Sequence, residues 1–65
     1  MKVGDYVYLS HGHVLLGTIS AIEDGGFKVL TKTNGWFWSN DIDSGFYEFE
    51  DPFVAYVRQT LEAAR

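Results

Sequence analysis

The chain has no cysteine and a single proline among its 65 residues. Without cysteine there is no disulfide framework and no thiolate zinc site to hold a small domain together. That absence fits a reducing compartment. Basic residues are sparse as well: five Lys and Arg stand against nine Asp and Glu, a net charge of −4. Lys2, Lys28, Lys32, Arg58 and Arg65 are scattered, whereas phosphate backbones are bound by clustered bases. Direct nucleic-acid binding is therefore not expected. No apolar run approaches membrane-spanning length, and the N-terminal stretch lacks the apolar core of a signal peptide. A complete, soluble, cytoplasmic product is expected.

Aromatic rings, by contrast, are plentiful: five Phe, four Tyr and two Trp. A chain of this length buries only about 60% of the surface its unfolded form exposes. Large rings offset that shortage because each buries much area for little ordering entropy.

Alternation in "GDYVYL" predicts a strand over 5–9, with Val7 and Leu9 on one side and Tyr6 and Tyr8 on the other. "VLLGTISAI" (14–22) predicts a longer second strand, with Gly17 marking a bend or bulge. "EDGG" is a turn, and "FKVLTKT" (27–33) a third strand. "WFWS" and "FYEFE" supply the fourth and fifth. Asp51–Pro52 then opens a helix, with Asp as N-cap and Pro at the first helical position. Phe53, Tyr56, Val57, Leu61 and Ala64 make one apolar stripe along it. So short a helix needs tertiary support, so the stripe is expected to dock on the sheet. One domain is expected over 1–65, with a barrel at about 3–50 and a helix at about 52–64.

"NG" at 34–35 is a strong hairpin signal, because both residues tolerate the positive φ of a type I′ turn. A two-residue loop there places Thr33 opposite Trp36 and Thr31 opposite Trp38, and opposed residues share a face. Trp36 and Trp38 then join Phe27 and Val29 in the core. Phe37 lies outside with Lys28 and Lys32. A three-residue loop would flip one strand and reverse this assignment.

"VGDYVYL", "LGTISAI" and "GGFKVL" together resemble the opening of the SH3-like small barrels, which include Tudor and KOW domains. The likeness spans residues 3–40 at the level of fold. It implies a mostly β, five-stranded SH3-like barrel with a C-terminal helix, a fold that hosts many functions. Tudor domains hold methylated lysine or arginine in an aromatic cage. Trp36, Trp38 and Asn40 would supply part of one, but "SHGHVL" offers no ring. KOW domains use basic residues toward RNA or ribosomal partners, and only Lys28 and Lys32 remain on the relevant hairpin here. The tyrosines of "VGDYVYL" lack the pattern with which SH3 domains bind polyproline.

His11 and His13 have no third metal ligand nearby, and Ser10 beside His11 lacks a third group to orient a base. Asp41 and Asp43 are a carboxylate pair, but so small a domain has little room for a water-excluding cleft. No enzyme, cofactor or metal is expected. "DIDSGFYEFED" (41–51) holds five acids and no base. Its acids either border a binding surface or complement the positive end of the helix. On the first alternative, Tyr6, Tyr8, Phe37 and Phe46 are exposed anchors rimmed by Asp41, Asp43, Glu48 and Glu50, and the partner is a protein with a basic surface. Small acidic phage or mobile-element inhibitors of nucleic-acid-binding host proteins have this character. An accessory Tudor- or KOW-like barrel in a nucleic-acid-processing or translation assembly is the alternative.

Overall fold

A computed structural model describes residues 1–33 and 35–63. Five antiparallel strands, β1 (Tyr6–Leu9), β2 (Val14–Glu23), β3 (Gly26–Thr31), β4 (Trp36–Ser39) and β5 (Tyr47–Glu50), precede helix α1 (Pro52–Ala63). The strand order is β4-β3-β2-β1-β5: four strands meander, and the fifth returns to pair with the first. The fold is thus mostly β with a C-terminal helix, as the alternation and the Asp-Pro signal predict. Ala64, the last residue of the expected stripe, lies outside the described residues, as does Asn34.

Register shifts at Val7/Tyr8 in β1 and at Ile19/Ala21 in β2 bend the sheet. The concave side holds Val7, Ile19, Phe27 and Val29, all essentially buried, with Leu16, Phe37, Tyr47 and Phe49 packed around them. Phe27 stands edge-on to both Tyr47 and Phe49, at 5.7 and 5.2 Å between centroids. The two edge strands approach through their rings, Phe37 of β4 stacking on Tyr47 of β5 at 6.2 Å. The sheet curls toward a barrel but stays open: side chains, not backbone hydrogen bonds, span the last gap.

The β3–β4 hairpin overturns the expected register. Leu30 faces Trp36, Val29 faces Phe37 and Lys28 faces Trp38. Thr31 N–H donates to the Gly35 carbonyl at 2.9 Å, leaving three residues, 32–34, beyond that pair. The odd count flips β4. Phe37 therefore packs against the core, while Trp36 and Trp38 are 61% and 44% exposed on the outer face. The two-residue loop of the sheet is instead Asp24–Gly25, between the paired Glu23 and Gly26, with Gly25 at φ 78°.

The helix departs from expectation too. Asp51 caps it, its Oδ1 accepting the Phe53 N–H at 2.7 Å. The buried helical residue, however, is Ala55, 1% exposed. Phe53, Tyr56, Val57 and Leu61 lie on the far side, at 72, 66, 39 and 63% exposure. The expected docking of this stripe on the sheet is not made. The molecule is accordingly long, 41 × 24 × 20 Å, with a radius of gyration of 12.5 Å where a compact chain of this length has about 11 Å.

Candidate functional surface

A row of cross-strand neighbours runs over the outer face through all five strands. Trp36 pairs with Leu30, Leu30 with Thr18, Thr18 with Tyr6, and Tyr6 with Glu50. Leu30, on the interior strand β3, is 52% exposed. Between Tyr6 and Leu30 the surface dips into a shallow groove of about 260 Å³, completed by Leu15, Thr18 and Lys32. Gly17 also lines it, at a point where a Cβ would run into the Leu30 carbonyl of β3. Beside the row, the Lys28 ammonium lies 4.3 Å from the Trp36 ring centroid, a cation–π contact. Trp38 lies over Gly26, so close that a Cβ there would meet the indole at 2.5 Å. Among the described residues no ring stacks on or stands edge-on to either tryptophan.

The expected anchors scatter. Tyr6 lies in the row, half-buried. Phe37 belongs to the core, so it is not an exposed anchor. Tyr8 is not one either: it is 7% exposed, stacked on His13 at 4.3 Å with its hydroxyl donating to Glu50 at 3.3 Å. Phe46 is 52% exposed, standing edge-on to Tyr47 at 4.8 Å.

The acids divide in the same way. Glu50 accepts from Arg58 at 2.7 Å, Glu48 lies 3.4 Å from His13, and Asp51 pairs with Lys2. Asp41 and Asp43, on the loop after β4, make no ion pair among the described residues. Asp41 N–H donates to the Ser39 hydroxyl at 3.1 Å, turning the chain directly after Trp38. Trp36, Trp38 and Leu30 are the surface residues that sequence reasoning missed. The exposed-ring signal was present in "WFWS", but loop parity assigned it to the wrong face.

Two polar clusters hold the N-terminal residues and the helix in place. Asp5, 4% exposed, accepts from the Lys2 backbone N–H at 3.0 Å and from Lys2 Nζ at 2.6 Å. Lys2 Nζ also reaches Asp51. Hydrogen bonds to Asp5 and Asp51 raise the Lys2 pKa, and the Lys2 contact followed by the Phe53 N–H lowers that of Asp51. The second cluster, Tyr8–Glu50–Arg58, latches the helix. Burial, and then the Glu50 carboxylate, push the Tyr8 phenol above its ordinary value, while Arg58 opposes the shift.

A phenol with a raised folded pKa favours the fold fully below pH about 10, and that contribution is lost as pH climbs through the folded value. Tyr8 should therefore ionise later than an ordinary phenol. In an alkaline titration followed by tyrosinate absorbance, Tyr8→Phe should remove the late phase. A variant curve that keeps that phase would contradict the latch.

Among the described residues no three potential metal ligands cluster, and every buried side-chain polar atom has a partner. No described helix is long and apolar enough to cross a membrane. No protein-family model, curated protein or solved structure matches the chain.

Proposed function

We propose that the protein is a non-enzymatic interaction module that docks on another protein through the outer face of its sheet. The observation that carries this reading is the outward pair Trp36 and Trp38, continued by Leu30 and the groove beside Tyr6. Tryptophans at an interface act as anchors because each removes a large apolar area from water while its N–H keeps a polar handle. Burial in the core would have stabilised this small domain more than exposure does, so their place outside favours a binding role. Asp41 and Asp43 follow Trp38 in the chain and are free of ion pairs among the described residues, so they form an acidic rim. A basic partner surface complements that rim and the net charge of −4. Inhibition of a cytoplasmic nucleic-acid-binding protein is a role that suits such a module.

The likeness to SH3-like small barrels is part of the same reading. A curled meander whose fifth strand returns to the first supports it. Accessory service in a nucleic-acid-processing assembly is compatible with that fold, and its support on the outer face is two lysines, Lys28 beside Trp36 and Lys32 at the groove, rather than a cluster of bases.

The test is affinity capture from the native host with the wild-type protein, Trp36→Ala/Trp38→Ala and Asp41→Lys/Asp43→Lys. The tryptophan variant should keep its thermal transition and lose the bound protein. The charge variant should bind more slowly and with less dependence on salt. Equal capture by all three proteins would refute the outer face as the docking surface.

A further inference from the structure

We infer that the outward face of α1 is a self-association surface, on which a second copy of this chain packs as an antiparallel helix pair. Phe53, Val54, Val57 and Leu61 form one continuous stripe with the Arg58 stem at its edge, around a groove of about 320 Å³. The spacing 54, 57, 61, flanked by 53, is the seam that helices present to one another. The polar latch sets which side of the helix meets the sheet. Arg58 is tied to Glu50, Ala55 is buried, and the stripe is left pointing away.

Three observations select a second copy as the occupant. The first is charge. The described helix carries one base, Arg58, and one acid, Glu62, whereas the 41–51 segment holds five acids. The stripe is thus a face on which two acidic molecules meet without opposing charge. The second is area. With Tyr56, the exposed side chains offer about 500 Å² per copy, so that a pair buries on the order of 1,000 Å², the lower bound of a specific interface. The third is the helix itself. Its length of about 18 Å is too short for stability alone, and the sheet supports it only along its Ala55 and Arg58 side. A twofold pairing centred on Val57 sets Phe53 of one copy against Leu61 of the other, and the same contact recurs by symmetry. The tryptophan face is left free on each copy, so the two surfaces act independently.

The test is sedimentation equilibrium of the wild-type protein, Leu61→Glu, Phe53→Ser and Trp36→Ala, each with a circular dichroism spectrum. The mass of one chain is 7.4 kDa. Wild type and Trp36→Ala should rise toward twice that mass as concentration increases. Leu61→Glu and Phe53→Ser, both at well-exposed positions, should keep the fold and raise the dissociation constant at least roughly 30-fold. A wild type that stays at 7.4 kDa up to about 1 mM would overturn the inference. If that monomer bound lipid vesicles, the stripe would be a membrane-surface face. If it did not, a different protein would be the occupant. A dimer that survives both helix substitutions would equally refute this face.

Discussion

Phe27→Ala is expected to unfold the domain. Phe27 is fully buried, and its ring is the point on which Tyr47 and Phe49 both converge edge-on. Truncating such a ring removes its transfer free energy and leaves a cavity, about 3–5 kcal/mol together. A 65-residue domain has roughly 3–10 kcal/mol of stability in all. Loss of the ring also removes the contact that joins β5 to β3 across the open side of the sheet. Circular dichroism and a thermal scan of Phe27→Ala should show no cooperative transition near that of wild type. Trp36→Ala is the internal comparison. Although it deletes a larger ring, it should shift the transition only slightly, because that ring is 61% exposed. A reversed ranking would contradict the register of the β3–β4 hairpin.

Gly17→Ala should be nearly as damaging, through the backbone. A Cβ at Gly17 would lie 2.1 Å from the Leu30 carbonyl oxygen and 2.9 Å from its carbon. Neither atom can rotate away. Gly17 pairs with Val7 on one side and Thr31 on the other, so relief means prying β2 from β3 at the centre of the sheet. The expected cost is about 3 kcal/mol or more. Gly25→Ala provides the contrast: its φ is 78° but the space around it is open, so only the left-handed penalty of about 1–2 kcal/mol applies. Chemical denaturation of both variants should rank Gly17→Ala far below Gly25→Ala. Equal midpoints would show that the strands do not approach as closely as described.

The strands and the helix start were legible because they rest on local signals. Alternation in "YVYL", the bend signalled by Gly17 and the Asp51–Pro52 cap each depend on a few neighbouring residues, and each is found where expected. Which way the rings face was not legible, for two separate physical reasons. In the β3–β4 hairpin, one residue more in the loop moves every β4 side chain to the opposite face. "NG" promotes a turn without fixing how many neighbours join it. In the helix, periodicity identifies the apolar stripe but not the direction it points. That direction is set by the long-range latch in which Arg58 and Tyr8 both donate to Glu50, and no local pattern announces it. The candidate surface was therefore misread together with the register: Trp36 and Trp38 exchanged places with Phe37. Glu50 and Tyr8 serve the helix latch, whereas Asp41 and Asp43 lie in the loop after β4 with no ion pair among the described residues.

Both tryptophans face solvent. Acrylamide quenching of intrinsic fluorescence tests it most directly, since Trp36 and Trp38 are the chain's only indoles. Emission should sit at the long-wavelength position of a hydrated indole. The Stern–Volmer slope of the folded protein should lie close to that of the denatured chain. A blue-shifted emission with little quenching until the protein unfolds would place the tryptophans in the core and contradict the β3–β4 register.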